Sequence, residues 1–179
     1  MSDEPLIVLI NGLPGSGKTT VSTAVAARLP RAAVIEGDHL QHTMTVSGCV
    51  GPGEEPEDES WRQLDLRWRN IAALAINFSD AGFTVVVDSL LIPSLLRTFA
   101  TAVAPRRLAY VHLDPQRSVS LARDAARGTK RIGDQFDWVA REFEEFRDLG
   151  LWVDSTHQSV EETVDAVVDG LHDGRAIRV

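Results

Sequence analysis

The sequence predicts an α/β protein, a parallel sheet with helices on both faces, and three observations carry that prediction. Short β-branched or aliphatic runs alternate with segments of helical periodicity along the whole chain. The first run, from Leu6 to Ile10, leads directly into Gly12-Leu13-Pro14-Gly15-Ser16-Gly17-Lys18-Thr19, a GxxxxGK(S/T) phosphate-binding loop. No internal repeat or composition break divides the 179 residues, so 1–179 reads as one domain, and 44% apolar residues suffice for a packed core.

Each element follows from local pattern. Leu6-Ile7-Val8-Leu9-Ile10 is a buried-strand run, and Val21, Val25 and Leu29 recur at helical spacing after the loop. Pro30 and Arg31 end that helix, and Ala33-Val34-Ile35 forms a second strand leading to Glu36-Gly37-Asp38. Residues 47–60 hold Gly48, Gly51, Pro52, Gly53 and Pro56 with the acidic run Glu54, Glu55, Glu57, Asp58 and Glu59, and are expected to form a long loop. Loops of that length in compact domains are usually functional or mobile, and 47–60 is the expected acceptor-site loop.

A helix from Trp61 to Ala81 is expected to keep Leu64, Trp68, Ile71, Ala75 and Phe78 on one face, with Gly82 as its stop. Trp61 and Trp68 read first as core residues, and second as a frame for an aromatic substrate. Thr84-Val85-Val86-Val87-Asp88 is a strand with a carboxylate at its tip, and Pro93 opens a helix through about Val103. A fourth strand runs from Leu108 to Leu113 and stops at Asp114-Pro115. Val119, Ala122 and Ala126 mark a helix on which Arg123 and Arg127 are four apart. Gly128 and Gly133 bracket the basic Lys130 and Arg131. Phe136, Ala140 and Phe143 continue into another helix, Leu151-Trp152-Val153 is a last strand, and Ser159 with Glu162 forms a capping box for the final helix.

Whole-chain properties narrow the function. A net charge of -8 opposes long-range attraction to nucleic acid. The acidic N-terminus and the absence of any run near the roughly 20 apolar residues of a membrane span argue against export and membrane insertion. A single cysteine, Cys49, excludes an internal disulfide and fits a cytoplasmic location; it reads as a passive thiol in a loop. His39 and His42 lack a third metal ligand nearby and read as surface or substrate-contacting residues.

The loop binds a nucleotide triphosphate because each residue type serves a polyanion. Gly12, Gly15 and Gly17 let the backbone turn and aim N–H groups at phosphate oxygens; Lys18 reaches the β- and γ-phosphates; and the Thr19 hydroxyl serves Mg²⁺. Ser16 and Thr20 complete the expected ATP-binding set. A guanine-reading N/TKxD motif and a DxxG switch are both missing, since Thr129-Lys130 is followed by Arg131-Ile132. There is no transporter-type LSGGQ, and the chain is short for a motor ATPase. What remains is the small-molecule kinase type, in which a basic lid, here near 123–134, closes over the transferring phosphoryl group. Arg123, Arg127 and Arg131 are its candidates, because guanidinium forks match equatorial phosphate oxygens and stack on adenine. Arg127 is ranked first for phosphate and Arg123 for the base.

On the stretches Gly12 to Thr19, Gly37-Asp38, Val85 to Asp88, Arg123 to Gly128 and Val153 to His157, the sequence resembles the small P-loop kinases of the nucleoside-monophosphate-kinase-like group. Within that group it is most similar to the chloramphenicol phosphotransferase-like kinases. The resemblance implies a three-layer sandwich whose five-stranded parallel sheet has the order 2-3-1-4-5, placing Asp38 and Asp88 on neighbouring strand ends. It implies a base or hydroxyl-orienting role for Asp38, which otherwise reads as a helix N-cap. Asp88 is the candidate to hold Mg²⁺ with Thr19 or to contact the substrate, against a plain turn residue. Residues Ser155 to His157 are implied at the adenine edge. The resulting expectation is transfer of the γ-phosphoryl group of ATP to a hydroxyl of a small molecule, an antibiotic or secondary metabolite being one candidate. Its alternatives are a sugar-acid, nucleoside or polynucleotide 5'-hydroxyl acceptor, or a non-catalytic ATP-binding regulator. Departures from the chloramphenicol kinase pattern concentrate in 47–60 and the helix after it, so the acceptor does not carry over.

Overall fold

A computed structural model describes residues 5–126 and 137–176. Five strands form one parallel sheet in the order β2-β3-β1-β4-β5, as expected. They are β1 (Leu6–Asn11), β2 (Ala32–Glu36), β3 (Thr84–Asp88), β4 (Arg107–Leu113) and β5 (Leu151–Val153). Crossovers run through α1 (Lys18–Ala27), α2 (Glu57–Asp80), α3 (Pro93–Val103), α4 (Arg117–Ala126) and α5 (Asp137–Glu142), and α6 (Val160–His172) closes the chain.

The pleat of β1 sorts its apolar run between two cores. Ile7 and Leu9 join Leu64, Ile71 and Ala75 of α2 and Phe99 of α3 on one face. Leu6, Val8 and Ile10 join Val21 and Val25 of α1 and Val164 and Val167 of α6 on the other. These central residues are buried on both faces, which is why the strands read as continuous apolar runs rather than alternating ones.

Strand registry sets the site. Ile10 of β1 pairs with Asp88 of β3, and Glu36 of β2 pairs with Asp88 from the other side. The ends of β2, β3 and β1 are therefore level, and the phosphate loop, Asp88 and the Gly37-Asp38 turn emerge side by side.

Three local expectations change. The helix expected from Trp61 begins at Glu57, with Pro56 as its extended cap residue, so Glu57, Asp58 and Glu59 form an acidic first turn instead of belonging to the loop. Carboxylates there favour the positive end of the helix dipole. Phe78 leaves the buried face and lies half-exposed, edge-on to Phe83 at 5.7 Å, while Arg67 takes a buried position on the helix. Ser159 and Glu162 do form the capping box of α6. Arg127, Lys130, Arg131 and Phe136 lie outside the described residues.

Candidate active site

The phosphate loop is shaped by its neighbours as much as by its glycines. Gly17 is left-handed (φ 97°), and nothing lies within 4 Å of where a Cβ would stand, which leaves open space at the start of α1. That helix has no acidic residue in its first turn and no side-chain cap, so its positive dipole end faces the loop's phosphate-binding side. Gly15, left-handed as well (φ 80°), has a packing task besides. A Cβ there would sit 2.0 Å from the Ser120 carbonyl oxygen, so the loop packs directly on the backbone of α4. The Gly12 N–H is also committed, donating to Asn11 Oδ1 at 2.9 Å.

Asn11 is the residue sequence reasoning missed. It is buried at the tip of β1; Oδ1 also accepts from Leu91 N at 3.0 Å, while Nδ2 donates to Leu91 O (2.9 Å) and to the Tyr110 hydroxyl (3.0 Å). One amide thus ties the phosphate loop, the segment after β3 and strand β4 together. The Tyr110 hydroxyl, 2.9 Å from His112 Nδ1, then supplies its proton to that nitrogen. Burial pushes the Tyr110 phenol up and the His112 imidazole down to about 3, the latter helped by Lys18 and Arg147, so His112 is neutral. It stacks on Trp152 at 4.0 Å, and the Arg147 guanidinium covers the indole's other exposure at 4.4 Å. Only Asn11's position at a strand end next to the motif could have signalled it in the sequence.

A cavity of about 870 Å³ opens beside the loop and gathers Lys18, Thr19, Asp38, Asp88, Arg67 and Trp61. Lys18 Nζ donates to the Leu13 carbonyl at 3.2 Å. Burial raises the pKa of Asp88, opposed by the Lys18 charge and a hydrogen bond with Thr19, with Asp38 and Glu36 adding to the rise. Among the described residues no three acidic, histidine or cysteine side chains form a metal cluster, but the Asp88 carboxylate and the Thr19 hydroxyl are hard oxygen donors of the kind Mg²⁺ takes alongside nucleotide phosphates. Asp88 and Thr19 could hold Mg²⁺ there.

Asp38 stands at the N-cap position of the turn after β2 without capping it through its side chain. Its backbone is helical (φ -67°, ψ -33°), its side chain makes no cap hydrogen bond, and a wide helical turn, His39–Thr43, follows it. Its carboxylate is 83% exposed and lies 3.5 Å from Arg67 Nη1, whose side chain is only 5% exposed. Burial lowers the Arg67 pKa, and Asp38, then Cys49, hold it up. Arg67 Nε and Ser89 Oγ, both on the cavity wall, are buried without a hydrogen-bond partner among the described residues.

The wall opposite the loop is stapled. Ser60 Oγ donates to Gly51 O at 2.8 Å and accepts from Gly53 N at 3.1 Å. Gln63 accepts from Val50 N (2.8 Å) and donates to Gly48 O (2.7 Å), while Gln41 donates to Val50 O (3.0 Å). Trp61 is 48% exposed and faces this cavity, whereas Trp68 is a core residue packed edge-on to Phe99. His42 lines the cavity and His39 does not. The Cys49 thiol donates to Gln41 O.

A second cavity of about 290 Å³ lies across the loop, lined by Ser16, Thr20, Arg123, Ser155 and Gln158. The Ser16 and Ser155 hydroxyls are buried and unpartnered among the described residues, and Arg123 Nη2 donates to Ser155 O at 3.4 Å. Of the residues expected at the adenine edge, Ser155 lines this cavity and Thr156 and His157 do not. Thr156 instead hydrogen-bonds Asp154 and Gln116 N, and His157 is exposed. Gln158 lines the cavity beside Ser155.

A search of curated protein sequences returned no match. Among solved structures, the chain resembles the Mycobacterium tuberculosis APS kinase in complex with AMPPNP and APS (22% identity, 94% of this chain and 98% of that one, TM-score 0.71). It also resembles a gluconokinase from Sinorhizobium meliloti 1021 (23%, 96% and 94%, TM-score 0.65). The Deinococcus radiodurans tunicamycin resistance protein is a third (19%, 93% and 95%, TM-score 0.68). At these identities the likeness is one of fold, the P-loop kinase fold. A family model described as an AAA domain matches residues 7–149, most of the chain, and the chain belongs to that family.

Proposed function

We propose that the protein is an ATP-dependent phosphotransferase that moves the γ-phosphoryl group to a hydroxyl of a small molecule. The observation that carries this reading is the single cavity holding Lys18, Thr19 and Asp88 on the loop side and Asp38 on the next strand end. A phosphate site and a carboxylate able to receive a hydroxyl proton thus share one space. The resembled APS kinase, solved with AMPPNP and APS, supports an adenine nucleotide as donor and a small molecule as acceptor. The tunicamycin resistance protein keeps an antibiotic among the acceptors.

In this reading the open N-terminus of α1 and Lys18 bind the β- and γ-phosphates. Mg²⁺, when bound at Thr19 and Asp88, supplies charge neutralisation across the phosphates. Ser16, Thr20, Arg123 and Ser155 receive the nucleoside end, while Arg127 and Arg131 are proposed for the lid. Asp38, held by Arg67, orients the acceptor hydroxyl and takes its proton as the oxygen bonds to phosphorus and the β–γ bridge oxygen leaves with ADP.

Acceptor-dependent ADP release, measured over sugars, nucleosides and hydroxylated antibiotics, tests it. A protein that binds ATP yet releases no ADP with any of them is not this enzyme.

A further inference from the structure

We infer that the acceptor is a cationic hydroxyl compound, an amino alcohol with an apolar or aromatic body, rather than an acid. The inference rests on the larger cavity being the acceptor site. Once Lys18, Thr19 and Asp88 are assigned to the phosphates, the wall that remains is strongly negative. Among the described residues on that wall, the carboxylates of Glu36, Asp38, Glu55 and Glu57 face one guanidinium, that of Arg67. That guanidinium is already answered by Asp38 at 3.5 Å. A carboxylate docked on Arg67 would crowd Asp38, and like charges at that range oppose binding.

Two buried groups on the wall can take a polar partner from the acceptor. Arg67 Nε and Ser89 Oγ have no partner among the described residues, and each lines the cavity. A neutral oxygen, such as a second hydroxyl or an ether of the acceptor, satisfies Arg67 Nε without adding charge. Glu57 and Trp61 stand four apart on α2 and therefore share a helix face, both on the cavity. An ammonium group set between that carboxylate and the half-exposed indole gains an ion pair and a cation–π contact together. Pro52, Leu64 and Ile92 supply the apolar remainder.

Three aryl alcohols differing only in charge test the assignment: phenylethanolamine, the neutral phenylethylene glycol, and mandelate. Their binding is titrated into AMPPNP-loaded protein at low ionic strength. The amine is expected to bind about tenfold more tightly than the glycol, with mandelate weakest. Glu36→Gln combined with Glu57→Gln should bring the amine down to the glycol's affinity and leave AMPPNP binding unchanged. Equal binding of all three, no binding of the amine, tighter binding of mandelate, or a preference that survives the double substitution overturns the inference. Because no turnover is needed, a protein that phosphorylates nothing strikes the kinase reading alone. An active enzyme without the charge preference strikes this one alone.

Discussion

Arg67 Nη1 lies 3.5 Å from Asp38 Oδ1, with the guanidinium almost wholly buried and the carboxylate almost wholly in solvent. The pair is asymmetric: Arg67 fixes one side of an otherwise free carboxylate, and Asp38 keeps a buried charge from standing alone. Asp38→Asn is expected to lower kcat by about 10²- to 10⁴-fold while changing the KM for ATP little. It should also cost stability, more than an ordinary surface pair would, because the buried Arg67 guanidinium loses its counter-charge. Steady-state kinetics with urea unfolding read both; equal losses in kcat and ATP affinity argue for a purely structural Asp38.

Lys18→Ala is expected to reduce kcat/KM for ATP by on the order of 10²-fold or more, since it removes the point charge at the phosphates. Its circular dichroism spectrum should match the parent's, as the Lys18 ammonium is held to the loop through the Leu13 carbonyl and belongs to no apolar core.

Asn11→Ala should be the most damaging single change near the loop. It leaves Gly12 N, Leu91 N and Leu91 O without their buried partner, at about 1–3 kcal/mol for each group that water cannot reach. Tyr110→Phe deletes one hydroxyl and should cost about 1–2 kcal/mol. Urea midpoints that rank Tyr110→Phe as the worse substitution contradict the place given to Asn11.

His112 gives the fold an acid-sensitive element. Its folded pKa is about 3, against 6.5 in the unfolded chain, so between those values the unfolded state binds the extra proton. Stability therefore falls as pH drops below 6.5, with a slope approaching about 1.4 kcal/mol per pH unit. His112→Phe, which keeps a ring against Trp152, should flatten the stability–pH curve in that window. Thermal melts from pH 7 to pH 4 measure it.

Asp88 should show a conflict between stability and function. Burial raises its folded pKa, so ionisation at neutral pH works against folding, and this cost appears as pH rises past the unfolded value. Asp88→Asn is expected to raise the Tm of the ligand-free protein while reducing Mg²⁺-supported activity at least tenfold. A lower Tm with unchanged metal dependence opposes both parts.

The strands and the phosphate loop were legible because they depend on local, strongly patterned signals, Leu6 to Ile10, Thr84 to Asp88 and the glycine spacing, whereas the strand order followed only from the family resemblance. The resemblance also implied that Asp38 and Asp88 stand on neighbouring strand ends, and the observed registry of β2 with β3 keeps those ends level. What escaped depended on tertiary partners. Arg67 reads as one more charged residue of a long helix, and only the folded protein shows it buried against Asp38. Asn11's four contacts reach residues 80 and 99 positions away as well as its own neighbour, and no sequence window contains them. Glu57 to Glu59 were assigned to the loop because proline at 56 looked like its interior, when it caps the helix.

The hydrogen bonds from Ser60, Gln63 and Gln41 that fasten the segment after residue 47 have a kinetic meaning. The backbone there is ordered as the chain folds, so an arriving acceptor meets a finished surface and sacrifices little conformational freedom to bind. Selectivity then resides in the side chains displayed by a fixed frame. Exchanging Glu57 or Trp61 should retune which molecules enter, leaving undisturbed the sheet that holds the phosphate loop.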